Sequence, residues 1–365
     1  MRILRFLLAV SGLALAVAGL AAGQVGAAGQ TAAAGGQPAA MDPHFVILDT
    51  DIGDDIDDAF ALALALRSPE LRLLGITTAY GDTELRARLV DRFLDAVGRS
   101  DIPVAVGAAT PHDNVFTQAA YAQQRILPPV DRCTMQLLSV SQIPVPKREQ
   151  DRYDACEKDR HDAIGFILRS ARAHSGKITL IAIGPLFNVQ AAIERDPETF
   201  RKLKRVVMMG GSIYRGYDGK NGEQRPPDAE WNISRDPAGL KALLASGVPV
   251  FMMPLDSTQI HLETGEREAI FSHGSPLTDQ LTLLYHQWLA GNAGHASAPT
   301  LFDPVAVAYA VHPGLCPTTP MRLEVDDKGL TRPVDGVPNA QVCLKSDEKG
   351  FLELLFASIA RDDAH

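Results

Sequence analysis

The chain has 365 residues, 46% hydrophobic and 22% charged, an ordinary globular composition that excludes disorder, collagen and coiled coil as its main state. Lys and Arg total 35 against 44 Asp and Glu, a formal charge of -9. With no basic stripe along the chain, that balance lacks the electrostatic footprint of a nucleic-acid binder.

Residues 1–23, MRILRFLLAVSGLALAVAGLAAG, begin with Arg2 and Arg5, run apolar from Phe6 to Leu20 and end in small residues. This is the pattern of a secretory signal peptide. The run is shorter than the ~20 apolar residues of a usual membrane span, so no stable membrane anchor is expected. Residues 24–43, rich in Ala, Gly and Gln, read as a flexible linker before a folded part at 44–365. Export, to a bacterial periplasm or out of the cell, agrees with four cysteines, Cys133, Cys156, Cys316 and Cys343. Three pairings are open to them; the local one, Cys133–Cys156 with Cys316–Cys343, is the expectation.

From His44 onward, short apolar runs alternate with helix-period segments. Strands are predicted at 44–50, 71–80, 102–107, 177–184, 205–211 and 248–256, and helices at 57–68, 83–99, 161–174, 186–195 and 236–246. The alternation predicts an α/β, Rossmann-like domain with a mostly parallel central sheet and helices on both faces. Such sheets bind ligands at the carboxyl ends of their strands. Residues 108–160 break the pattern, being Pro- and Gln-rich with two cysteines, and read as a disulfide-held insertion.

The first strand runs into Asp49-Thr50-Asp51-Ile52-Gly53-Asp54-Asp55-Ile56-Asp57-Asp58, six carboxylates in ten residues. They repel one another unless solvent, a helix N-terminus or a cation offsets the charge. A helix cap at Asp57 or Asp58 accounts for one or two of them, but not for Asp49 and Asp51, which leave a buried strand directly. Oxygen-rich sites of this kind suit a hard cation such as Ca²⁺ or Mg²⁺, and Gly53 permits a tight turn around one ion.

ILDTDIGDDIDDAFALALA resembles the N-terminal motif of the inosine/uridine-preferring nucleoside hydrolases, Asp-x-Asp-Pro-Gly-x-Asp-Asp-Ala. The resemblance continues in order through GITTAYGD (75–82), DIPVAVGAATP (101–111), KITLIAIGPLFNVQAAIERDP (177–197), VVMMGG (206–211), AEWN (229–232) and FDPVAVAYAVHP (302–313). It implies hydrolysis of the N-glycosidic bond of ribonucleosides to free base and ribose. It further implies one Ca²⁺ held by Asp51, Asp58, the carbonyl of Phe187 and Asp303, with Asp51 deprotonating a water bound to the ion. Asp57, Glu230 and Asn232 would hold the sugar, and Met209 would line the same pocket. A homodimer or homotetramer is implied as well. The chemistry suits these residue types, because departure of a base leaves positive charge on the ribosyl ring that anionic groups stabilise.

Several positions depart from the family pattern. Ile52 replaces the common proline, and two extra residues precede Asp57-Asp58, which makes Asp54 and Asp55 rival positions. Phe187 stands for the usual threonine, and Asp82 for an asparagine: either a substrate contact or proton donor, or a cap for the helix that follows. Phe302 replaces the histidine that in many members protonates the leaving base. An acid would then come from Asp82, His286 or His295, or Phe302 and a tryptophan (Trp231 or Trp288) would activate the base by stacking. Glu230 and Asn232 carry a second reading as a solvated loop and helix cap, while His112 and His161 have no assigned role. Two rival functions remain: an exported nucleoside- or ribose-binding protein without turnover, and a haloacid-dehalogenase-like phosphatase built on Asp49-Thr50-Asp51.

Overall fold

The computed structural model describes residues 43–112, 116–123, 160–219, 222–292 and 298–361. The expected signal peptide and linker lie outside these residues, as do Cys133, Cys156, His295 and most of the 108–160 segment. No helix among the described residues is long and apolar enough to cross a membrane.

Strand β1 (His44–Thr50) pairs in parallel with β2 (Leu71–Thr78) on one side and β4 (Ile178–Ala182) on the other. β3 (Val104–Val106) extends the sheet beyond β2, and β5 (Arg205–Met209) and β6 (Val250–Met253) extend it beyond β4, all in parallel. The alternation of these strands decides their faces. Val46 and Leu48 of β1 enter one apolar core while Ile47 enters the other; Val207 and Met209 of β5 oppose Val206 and Met208 in the same way. Helices cover both faces, as the βαβ pattern requires.

The sheet has nine strands in the order β3-β2-β1-β4-β5-β6-β9-β7-β8. Its last part, β7 (Thr318–Val325), β8 (Thr331–Val334) and β9 (Ala340–Cys343), is an addition to the predicted elements. β9 runs parallel to β6, and β7 pairs antiparallel with both β9 and β8. Because the chain winds outward from β1 to β3 and then returns to β4, the strand order reverses between β1 and β4. The carboxyl ends of those two strands flank the crevice where such a sheet takes its ligand.

The antiparallel corner is pinned by a buried Cys316–Cys343 disulfide that closes a separation of 27 residues, one of the two expected pairings. Replacing both cysteines by serine is expected to cost about 3–4 kcal/mol in the chain-entropy account. Denaturant melts of the double variant against the parent check this; equal midpoints would contradict it.

Candidate active site

The acidic window sits where two buried helices begin. Helix α1 (Asp57–Arg67) starts directly after it, with Asp57 and Asp58 in the first turn. A second helix, Pro304–Val311, starts after Asp303. Both helices are rich in Ala, Val and Leu and almost wholly buried, so they pack deep against the sheet and bring their N-termini together. Oxygens of Asp57, Asp58 and Asp303 lie within 4.8 Å of one another, and all three residues are buried. The Asp303 backbone N–H donates to Asp57 at 3.2 Å, and the Thr50 hydroxyl donates to Asp58. Neither Asp57 nor Asp58 caps α1: the N-cap residue is Ile56, and the first-turn carboxylates face the cavity. The positive ends of the helix dipoles favour carboxylates there.

The loop before α1 is held from below by Arg86, a residue absent from the expected site. It projects from the buried face of helix α2 (Thr83–Ala96) and is only 1% exposed. Its guanidinium donates to the Asp51 and Ile52 carbonyls, to both carboxylate oxygens of Asp54 (3.2 and 2.9 Å) and, through Nε, to the Tyr80 carbonyl at 2.7 Å. Tyr80 itself has φ +63°, a strained conformation for a bulky residue, and this bond holds it. Gly53 is required twice over. Its φ is +127°, and a Cβ there would lie 1.7 Å from the Phe116 ring, which packs under the loop. Thr117 and Gln118 continue that support by donating to the Asp54 and Asp55 carbonyls, both at 2.7 Å. The start of the predicted insertion is therefore part of the site wall.

Above the carboxylates opens a cavity of about 440 Å³, within the usual range for small-ligand sites. Asp51, Asp54, Asp55, Asp57, Asp58, Asp303, Met209, Glu230, Asn232 and Phe302 all line it, together with Ile183, Thr117, Tyr217, Trp231 and Trp288. Carboxylates and aromatic rings thus share one chamber. Glu230 is buried rather than solvated: it caps the short helix Trp231–Arg235, accepting from Gly211, Asn232 and Ile233 backbone N–H groups, and it lines the cavity. The amide of Asn232 donates to the Ile183 and Met209 carbonyls, tying β4 and β5 together beneath it.

Other expected positions lie elsewhere. Asp82 is exposed and caps α2 through the Leu85 N–H, away from the cavity lining. Phe187 stacks on Tyr80 at 6.2 Å and is not a lining residue. His286 is exposed on its helix, edge-on to Tyr285. Asp49, read with Asp51 in the sequence, is separated from it. It accepts from Thr77 and Asn188 inside the sheet, and its other oxygen has no hydrogen-bond partner among the described residues.

Burial raises Asp51 to about 7 and Asp49 to about 6. Asp57, Asp58 and Asp303 are pushed well above the usual carboxylate range, first by burial and then by the charge of neighbouring carboxylates, Asp51 among them in each case. Glu230 rises to about 7 through burial, opposed by its hydrogen bonds. One guanidinium and two helix ends do not balance this many acids. The donor set, three converging carboxylates of hard oxygen, fits a divalent cation.

Residues 46–353 match the sequence profile of the family described as inosine-uridine preferring nucleoside hydrolase. The chain belongs to that family. It is 31% identical over 336 residues to a pyrimidine-specific ribonucleoside hydrolase, RihA, of Citrobacter koseri, covering 86% of this chain and 97% of that protein. It is also 31% identical over 334 residues to the protein of the same name from Escherichia coli O7:K1, covering 85% and 96%. Among solved structures, a purine-preferring ribonucleoside hydrolase from Gardnerella vaginalis matches with a TM-score of 0.67 at 26% identity, over 87% of this chain and 98% of that one. The plant nucleoside hydrolase PpNRh1 matches in fold with a TM-score of 0.69 at 24% identity, over 88% and 100%. The nucleoside hydrolases are N-glycosyl hydrolases and metal-dependent, so this nucleoside hydrolase is an enzyme whose acidic nest has the makings of a metal site.

Two outcomes follow for the nest. In Arg86→Met the Asp54 carboxylate and three backbone carbonyls lose their donor, and a loss of about 3–5 kcal/mol is expected by calorimetric melting; an unchanged melt would contradict the clasp. Between pH 4 and 7 the folded chain without metal keeps protons that the unfolded chain releases. Its stability must therefore fall as pH rises through that window. Melting temperature in chelator is expected to drop from pH 5 to pH 8, and added divalent cation to remove most of the drop.

Proposed function

We propose that this chain hydrolyses the N-glycosidic bond of ribonucleosides, releasing free base and ribose, with a calcium ion at the floor of the cavity and Asp51 as general base. The observation that carries the reading is the convergence of Asp57, Asp58 and Asp303 beside Asp51, beneath a chamber that Tyr217, Trp231, Trp288 and Phe302 also line. Asp57, Asp58 and Asp303 would hold the ion, with Asp51 beside them. When bound, calcium supplies a hard Lewis acid that polarises water and anchors ribose hydroxyls.

The chain's own residues account for the rest. Burial brings Asp51 to about 7, so at neutral pH its carboxylate can take a proton from the attacking water as the C1′–O bond forms. As the C1′–N bond breaks, positive charge spreads over the ribosyl ring, and Asp51, Asp57 and Glu230 are the anionic groups facing it. Asn232 and Met209 complete the sugar end, while Trp231, Trp288 and Phe302 form an apolar wall for the base and exclude water from it. Phe302 has no proton to give, so the base departs with its electron pair and is protonated from elsewhere or carried by its own leaving ability. Export is part of the same proposal. The N-terminal apolar run and the Cys316–Cys343 bridge both support an oxidising compartment outside the cytoplasm.

The test is release of reducing sugar from a panel of purine and pyrimidine ribonucleosides. The parent is expected to cleave at least one, and Asp51→Ala to slow that reaction by roughly 10³-fold or more, as loss of a general base beside a metal does. Near-normal turnover by Asp51→Ala would overturn the assignment. Nucleoside binding without any release would mark a binding protein.

A further inference from the structure

Between β5 and the Trp231–Arg235 helix the chain makes a long excursion, Ser212–Asp228, with no periodic pattern in its sequence. Its first part, Ser212–Gly219, is nonetheless tightly bonded. The Asp256 carboxylate accepts from the Ile213 and Tyr214 N–H groups, both at 2.8 Å. The side chain of Gln259 grips the loop on either side of one residue: its Oε1 accepts from Asp218 N–H at 2.7 Å, and its Nε2 donates to the Gly216 carbonyl at 3.0 Å. The residue between those two bonds is Tyr217.

Tyr217 is half-buried and lines the cavity. Its hydroxyl accepts from the Trp231 N–H at 2.9 Å, at the start of the helix that Glu230 caps. Its ring stands edge-on to Phe302, with centroids 6.0 Å apart and planes at 82°. Tyr217 is thus well placed to fix the start of the helix beside the Glu230 carboxylate and the ring that stands where the family carries histidine.

We infer that Tyr217 is a positioning residue for the ribosyl group: its hydroxyl holds the Trp231 N–H at the helix start that carries Glu230, its ring sets Phe302, and Gln259 holds it in place from behind. The inference rests on the hydrolase reading and deepens it, because it locates substrate positioning in a loop outside the family's recurring motifs. The ribosyl group is common to every substrate, so its loss has a distinct signature.

The experiment compares the parent, Tyr217→Phe and Gln259→Ala on uridine or inosine and on p-nitrophenyl riboside, whose leaving group needs no protonation. Free ribose serves as a competitive inhibitor. Tyr217→Phe keeps the ring and removes the hydrogen bond. It is expected to raise KM and the ribose inhibition constant by roughly 3- to 10-fold, as loss of one neutral hydrogen bond does, and to lower kcat/KM by the same factor on both substrate types. Gln259→Ala is expected to shift both in the same direction by less. A purely structural role would lower the melting temperature and leave KM and ribose inhibition unchanged, which overturns the inference. Loss on the nucleoside with p-nitrophenyl riboside spared would make Tyr217 a proton donor and also overturn it. A parent that cleaves neither substrate overturns the hydrolase reading itself, and this inference with it.

Discussion

Five carboxylates between Asp51 and Asp58, joined by Asp303 from a neighbouring helix start, repel one another around one cavity, and Asp51, Asp57, Asp58 and Asp303 are buried there. The surrounding structure is arranged around that repulsion. Two helices rich in small apolar residues pack deep enough to point their N-termini at the acids, Arg86 is buried to satisfy Asp54 and the loop carbonyls, and Phe116, Thr117 and Gln118 support the loop from the side. These devices offset only part of the charge. The remainder appears as carboxylates held well above their usual range, Asp51 at about 7, the condition that a divalent cation relieves.

The parallel half of the fold was legible because its signal is local. β1 to β6 are short apolar runs with parity that assigns their faces, and the helices between them carry 3.6-residue patterns. The antiparallel corner escaped because β7 and β8 are partly exposed, interrupted by Pro320 and Pro333, and joined to the parallel sheet only through β9. Pairing partners of that kind are set by tertiary context rather than by a run of sequence.

Within the site, the acidic window and the Asp-Pro motif at 303 announced themselves by composition and spacing, and the structure brings Asp57, Asp58 and Asp303 together across some 245 residues of chain (246 between Asp57 and Asp303). Arg86 was detectable in principle: it falls in the stripe of Thr83, Val90 and Phe93 that α2 buries, and a charge in such a stripe needs a partner. Tyr217 had no such signal, since its loop lacks periodicity and its anchors, Asp256 and Gln259, lie about forty residues away. Asp82 shows the opposite case. A motif position matched by sequence serves here as a helix cap on the outside.

The account stands or falls on whether a cation completes the nest. The most direct measurement is calorimetric titration of chelator-treated protein with Ca²⁺ near pH 6.5, in two buffers of different ionisation heat, with nucleoside cleavage followed on the same samples. One ion per chain, proton release on binding, and cleavage that rises with occupancy are the predicted results. Undiminished cleavage by protein shown to be metal-free would contradict the account.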